Sequence, residues 1–242
     1  MTDPCFFLAD VGVPVGGLLR LGGPEGRHAA KVRRIRVGES VLVMDGRGHA
    51  VRGLAELIGD AQIDLRVVEV LCDPPSDHRW VAVQALAKGG RDEAAVESLT
   101  ELGVDEIIAW QASRSIVRWQ GKDDKGLAKW SATAREAAKQ ARRFSVPPVS
   151  YLATPQLCQR IKQTEQTFVM HETADEWLSP GDVVARGEVM LVIGPEGGIA
   201  PDELAAFVEA GALVRRIATN VLRTSTAGVV ALSQLQVLGG AR

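Results

Sequence analysis

From Trp80 to the C-terminus the chain repeats one pattern, a short apolar run followed by a helical segment, and few folds accept it. Residues 80–86, 106–110, 167–171, 189–193 and 214–217 read as strands, short and rich in Val, Ile and aromatic residues. Residues 92–102, 127–143 and 225–238 read as helices, and another opens at Pro201-Asp202-Glu203, where Pro suits the first turn and acids suit the helix dipole. Gly103 and Gly211 stand where helix stops are expected, and Val146-Pro147-Pro148 halts the long helix. Strands alternating with helices predict an α/β domain with a largely parallel sheet.

The first seventy residues follow a different rule. Residues 6–8, 40–44, 50–58 and 63–71 are short apolar or alternating runs separated by turn signals such as Asp45-Gly46-Arg47-Gly48 and Gly59-Asp60. Residues 26–36 leave room for a short basic helix. A small β-barrel-like domain is expected. Cys72-Asp73-Pro74-Pro75-Ser76-Asp77 is the best linker, because adjacent prolines stop helix and sheet ladders alike. The division is placed at 1–73 and 74–242, and no internal repeat is evident.

Ordinary globular composition, 46% hydrophobic and 24% charged over 242 residues, excludes disordered and collagen-like chains. Three scattered cysteines argue against a disulfide framework and for a reducing compartment. No apolar run approaches the roughly 20 residues that span a bilayer, and Met1-Thr2-Asp3-Pro4-Cys5 lacks the features of a signal peptide. A cytoplasmic protein is expected. Net charge is only −2, but it is unevenly spread. Residues 110–145 carry nine Lys/Arg, among them Arg114, Arg118, Lys122, Lys139, Arg142 and Arg143, against three acids. Residues 27–36 hold five Lys/Arg and no acid, whereas residues 150–212 hold three basic and ten acidic residues. Separate basic stretches on a nearly neutral chain suggest a basic face for a polyanion such as nucleic acid.

Chemistry is most readable at three strand ends. Ile193-Gly194-Pro195-Glu196-Gly197-Gly198 follows a buried strand and leads into a helix, the place where open α/β sheets bind ligands. It matches neither the dinucleotide fingerprint nor the phosphate loop, and a tight strand-to-helix turn would use the same glycines. Asn220-Val221-Leu222-Arg223-Thr224-Ser225-Thr226-Ala227 lies at another strand–helix junction, where the hydroxyls could simply cap the helix. Arg223 is harder to explain, since a cation is disfavoured at a helix start; it should face a ligand or an acid. His171-Glu172 follows a third strand. The histidines and cysteines form no ligand spacing, so no metal is expected, and no G-x-S-x-G nucleophile elbow is present. Trp119 and Trp130 lie in the basic segment and could stack on a base, although packing suits Trp130 better.

The glycine loop and the Val221-Leu222-Arg223-Thr224-Ser225-Thr226-Ala227 segment resemble, in this order, the two late motifs of the ribosomal RNA small subunit methyltransferase E family of the SPOUT superfamily. Gln84-Ala85-Leu86-Ala87-Lys88 with Arg91, Glu101-Leu102-Gly103-Val104, Ser113-Arg114-Ser115, Lys129-Trp130, Gln140 with Arg142-Arg143, and His28-Ala29-Ala30-Lys31-Val32-Arg33-Arg34 extend the resemblance over nearly the whole chain. Ser225, Lys139 and Gly90 depart from the pattern, standing where Glu, Glu and Asp are frequent.

The resemblance implies a PUA-like β-barrel RNA-binding domain followed by a SPOUT α/β trefoil-knot methyltransferase domain. It also implies a homodimer, S-adenosyl-L-methionine as cofactor, and 16S rRNA of the small ribosomal subunit as substrate, methylated at uridine N3. The cofactor pocket would then use His171, Glu172, Ile193, Gly194, Pro195, Glu196, Gly197, Gly198, Val221, Leu222, Arg223, Thr224, Ser225, Thr226 and Ala227. Arg223 is the first candidate for stabilising charge on the uracil, with Glu196 a possible base or loop-structuring group. Arg33, Arg34, Lys88, Arg91, Arg114, Arg118, Lys139, Arg142 and Arg143 would contact RNA phosphates. Two rival readings stay open: a non-catalytic RNA-binding or ribosome-assembly protein of the same fold, and methylation of a different RNA base. A nucleotide-dependent oxidoreductase is disfavoured by the missing dinucleotide fingerprint.

Overall fold

The computed structural model describes residues 3–119, 121 and 123–240; Lys122, counted in the basic segment above, lies outside them. Two compact units emerge. One runs through Pro75 and takes in Ala138–Val146; the other comprises Ser76–Ala137 and the chain from Pro147 onward. The stretch 138–146 therefore packs with the first unit, a return that a single cut after residue 73 does not contain.

The first unit is a five-stranded sheet of β1 (Cys5–Phe7), β2 (Leu18–Leu21), β3 (Ser40–Met44), β4 (His49–Ile58) and β5 (Ile63–Cys72), in the order β1-β3-β4-β5-β2. β1 runs parallel to β3 and the other pairings are antiparallel. Among the described residues β1 and β2 do not pair with each other, yet Phe6 of β1 and Leu21 of β2 share one core, so the sheet curls into a half-barrel as expected of the small β-barrel-like domain. Alternation assigns its two faces. Val41 and Val43 point into a core with Phe6, Leu21, Ile63 and Leu65. Leu42 and Met44 point the other way and pack with Phe7, Ala50 and Ala138. The basic segment folds as α1 (Gly23–Arg27) followed by a π-helical turn, His28–Val32, and ends before Arg33.

The second unit is built on six strands that all run parallel: β6 (His78–Ala85), β7 (Glu106–Trp110), β8 (Val149–Leu152), β9 (Gln166–Met170), β10 (Gly187–Ile193) and β11 (Leu213–Arg215). Their order is β11-β9-β10-β6-β7-β8. Both faces are covered, which is why Val189 through Ile193 form an unbroken apolar run and are all buried. One face packs Trp110 edge-on against Phe207 at 5.2 Å. The helices are α2 (Arg91–Glu101), α3 (Asp123–Ala141), α4 (Thr154–Ile161), α5 (Pro201–Glu209) and α6 (Thr224–Leu238), with α2 against α6. Gly126 lets α3 approach Trp119, because a Cβ there would stand 2.4 Å from the indole. Trp119 in turn meets Trp130 edge-on at 5.3 Å. Both indoles are buried, and Trp119 packs within the unit.

Strands leave β6 toward β7 on one side, and β10 leads to β11 on the other. The connections thus diverge between β6 and β10, and a crevice opens beyond the carboxyl ends of these strands.

Candidate cofactor and RNA site

Three loops meet at that crevice: 194–200 after β10, the segment starting at His171 after β9, and 218–223 before α6. They enclose a cavity of about 370 Å³. Of the fifteen residues assigned to it from sequence, His171, Glu172, Ile193, Gly194, Pro195, Glu196, Gly198, Val221, Leu222, Arg223, Thr224 and Ala227 line it. Gly197, Ser225 and Thr226 are not in its lining. Gly197 serves from behind, its carbonyl accepting a hydrogen bond from Arg114 Nη1 at 3.3 Å. Met170, Ile199 and Arg91 complete the wall.

The glycines here make room for neighbouring groups. A Cβ on Gly194 would stand 2.8 Å from Ile199 Cγ1, and one on Gly197 would stand 3.2 Å from Arg114 Cβ. Gly198 has φ +71°, a conformation only glycine adopts freely. The loop is also tied across the sheet. Thr224 Oγ1 donates to the Gly194 carbonyl at 2.8 Å and accepts from Gln84 Nε2 at 2.8 Å. The Thr224 hydroxyl therefore does not cap α6, as the sequence allowed; Arg223 is the N-cap residue, and no side chain caps that end.

Glu196 is held by Arg91 Nη1 at 2.8 Å and the Lys88 backbone N–H at 3.2 Å. Partial burial raises its pKa, but its own N–H, Arg91 and Lys88 outweigh this and hold the carboxyl below its ordinary value. A carboxylate engaged in this way ties the glycine loop to the start of α2 and is a weak proton acceptor. Arg223 is exposed at the cavity wall, and among the described residues its guanidinium has no acidic partner. His171 Nδ1 accepts from the Thr173 backbone N–H at 3.3 Å. The segment after β9 is pinned to β11 by Arg215, which bonds Asp182 at 3.1 and 3.2 Å. That guanidinium holds the Asp182 carboxyl below its ordinary value.

Sequence reasoning missed one positioning residue. Glu203, buried on α5, accepts from Ser113 N at 2.9 Å, Ser113 Oγ at 2.9 Å and Thr154 Oγ1 at 3.1 Å. It thereby fixes the segment that carries Arg114 to Gly197. A glutamate three residues into a helix is the usual capping pattern, which concealed this longer reach.

The basic residues fare unevenly. Arg33, Arg34 and Arg142 are exposed on the first unit, where Arg143 is half-buried. Lys88, Arg114 and Arg118 are exposed on the second, where Arg91 is engaged by Glu196. Lys139 is a correction: its Nζ bonds both Glu25 oxygens, at 2.8 and 2.9 Å, and lies 5.4 Å from the centre of the Phe6 ring. With its side chain only 15% exposed, it is spent inside the first unit and is not presented to phosphates. No group of three or more potential ligands among the described residues is placed to hold a metal, and none of their helices is long and apolar enough to cross a membrane.

The cavity suits an amphipathic, charged small molecule. Ile193, Ile199 and Leu222 supply apolar wall, Glu172 an anion and Arg223 a cation, while the glycine loop brings backbone within reach of a ligand. Comparison with known proteins gives this shape a context. Residues 74–236 match an RNA methyltransferase domain, and residues 21–67 an RNA methyltransferase PUA domain. Ribosomal RNA small subunit methyltransferase E of Mycobacterium tuberculosis (strain CDC 1551 / Oshkosh) is 44% identical over 238 residues, covering 96% of this chain and 91% of that protein. The protein of the same name from Bacillus subtilis (strain 168) is 26% identical, covering 88% and 87%. Ribosomal RNA small subunit methyltransferase E from Neisseria gonorrhoeae, solved bound to S-adenosyl methionine, superposes with a TM-score of 0.85 at 26% identity over 98% of both chains. The chain belongs to the ribosomal RNA small subunit methyltransferase E family.

Proposed function

We propose that the chain methylates N3 of a uridine in 16S rRNA of the small ribosomal subunit, using S-adenosyl-L-methionine bound in the cavity between the glycine loop and the start of α6. The observation that carries this reading is the pairing of that lined cavity with a guanidinium at its wall, Arg223, that has no acidic partner among the described residues. Bound there, S-adenosylmethionine supplies an electrophilic methyl group on its sulfonium. Gly194 to Gly198 and Leu222 would hold it by backbone and apolar contact, and Glu172 would offer an acceptor for its hydroxyl or ammonium groups. Arg223 faces the incoming base. As the N3–methyl bond forms, the methyl–sulfur bond would break with its electron pair returning to sulfur, so that neutral S-adenosylhomocysteine leaves; the N3 proton passes to solvent, and the cation at Arg223 stabilises negative charge on the uracil oxygens. The loops supply the alignment that makes such a transfer fast. Glu196 is a positioning residue in this reading, and Arg114 holds the loop through Gly197.

The loops 194–200 and 218–223 belong, in the same reading, to a trefoil knot, with the Thr224–Gly194 tie as its clasp. The active form is a homodimer acting in the cytoplasm; exposed Val221 and Val237, 76% and 71% accessible, are apolar surface that a second copy would cover. Arg33, Arg34, Arg142 and the half-buried Arg143 of the first unit, and Lys88, Arg114 and Arg118 of the second, contact RNA phosphates. The test is methyl transfer from labelled S-adenosylmethionine to small subunits lacking the modification. 3-Methyluridine in the digest supports the assignment, and a different methylated nucleoside moves the target.

A further inference from the structure

A second cavity in the methyltransferase unit, of about 400 Å³, lies outside the cofactor pocket, and Lys88 and Arg118, assigned above to RNA phosphates, stand at it. It opens where β6 runs into α2, and its floor is the buried Ala87, Trp119 and Trp130. Four cations stand around it: Lys88, Arg118, Lys125 and Lys129. Glu93 neutralises Lys129. Arg118 gives one N–H to the Ser113 carbonyl at 3.2 Å, and among the described residues neither it, Lys88 nor Lys125 is paired with an acid. Asp92, the other acid at the cavity, is 5% exposed, and its oxygens accept backbone N–H groups of Ala87 and Glu93 at 3.3 and 3.0 Å. Three cations without an ion-pair partner among the described residues thus share a concavity with a single buried carboxylate, Asp92, and the net positive excess favours an anion.

The position is as informative as the charge. The Arg91–Glu196 ion pair, with the Lys88 N–H on the same carboxylate, lines the first cavity. Gly90 and Asp92, the immediate neighbours of Arg91, line the second, as does Lys88 three positions before it. The residues on either side of one ion-paired arginine thus line the second cavity while the arginine itself lines the first, so a strand whose reacting base meets the methyl group at the mouth of the cofactor cavity can offer a neighbouring nucleotide to the second. An apolar floor under a cationic rim matches a nucleotide, base inward and phosphate on the rim.

We infer that this cavity receives a phosphate-bearing nucleotide of single-stranded RNA, adjacent in the strand to the base being methylated. The inference rests on the chain being an RNA methyltransferase, and its test uses a readout separate from methyl transfer. Fluorescein-labelled oligouridylate of nine nucleotides is titrated against the full-length protein, followed by anisotropy at several salt concentrations. The Lys88→Ala/Lys125→Ala variant is compared with Lys162→Ala/Arg186→Ala, which removes the same charge from exposed sites outside the cavity. The cavity variant should bind at least about tenfold more weakly, with the salt slope reduced by roughly 0.7 for each phosphate no longer neutralised. The control should change less than about twofold, and both should bind S-adenosylmethionine like wild type. Equal losses in the two variants, or none in the cavity variant, overturn the inference. So does competition by inorganic phosphate as effective as by uridine 5′-monophosphate, which would make this a bare anion site. If wild type transfers no methyl group to small subunits yet the cavity variant loses oligouridylate, the methyl-transfer reading fails and the nucleotide site stands.

Discussion

Thr224 donates its hydroxyl hydrogen to the carbonyl of Gly194, 30 residues away in sequence, and accepts from Gln84 Nε2 at the same oxygen. Three segments are thereby joined at one buried atom: the end of β6, the glycine loop and the first residue of α6. Thr224→Ala leaves the Gly194 carbonyl and one Gln84 N–H without their partner. Expected are a stability loss of about 1–3 kcal/mol and S-adenosylmethionine binding weakened about tenfold, the equivalent of roughly 1.4 kcal/mol. Thr224→Ser restores both. Thermal unfolding and calorimetric titration check this; an alanine variant with wild-type affinity removes the clasp from the account.

Arg223 is exposed at the cavity wall with no acidic partner among the described residues, so its removal should be felt in turnover. Arg223→Ala is expected to lower kcat about 10²-fold, the usual effect of losing one donor to a developing anion. Substrate binding should change far less. Arg223→Lys should recover only part of the rate, since a point charge replaces a planar fork. Equal losses in KM and none in kcat would make Arg223 a binding residue.

Glu196 gives a pH-dependent prediction. Its carboxyl sits below its ordinary value in the folded chain. The tie to Arg91 is therefore fully present above the ordinary carboxylate value of about 4.3, and is lost as pH falls through the lower folded value. Cofactor affinity should hold from neutral pH down to that range and then fall. Glu196→Gln should weaken binding at neutral pH by about fivefold, roughly 1 kcal/mol for a partly exposed pair, and abolish the acid limb. If the variant instead binds the cofactor normally but loses the ascending acid limb of kcat, Glu196 is a proton acceptor after all.

Lys139 separates structural from RNA-binding cations. Lys139→Ala strips Glu25 of its partner in a half-buried setting and should cost about 1–3 kcal/mol of stability. The salt slope of RNA binding should not change. Arg142→Ala with Arg143→Ala should lower the slope.

What could be read from the sequence depended on whether the cause was local. β3 and β7 were legible to the residue, because a buried parallel or central strand is a continuous apolar run with turn signals on both sides. β2 was hidden, because Leu18–Leu21 sits between glycine pairs that read as turn. β8 and α4 were hidden by Pro147-Pro148 and Pro155, although Pro at the first turn of a helix is compatible with one. The site's loops were legible from their glycines and from Arg223, whose place at a helix start has no structural benefit. Their cross-ties were not. Gln84 and Thr224 are 140 positions apart, Ser113 and Glu203 are 90, and Lys139 and Glu25 are 114. No local pattern announces such partners. The glutamates that secure Lys139 and the glycine loop, Glu25 and Glu196 through Arg91, emerge only when distant segments fold together.

The most direct test of the central claim incubates the purified full-length chain with labelled S-adenosylmethionine and small ribosomal subunits lacking the modification, followed by nucleoside analysis. The account predicts label in 3-methyluridine at one position of 16S rRNA, reduced about 10²-fold in rate by Arg223→Ala. Label in no nucleoside, from protein that binds S-adenosylmethionine and the subunit normally, would contradict it.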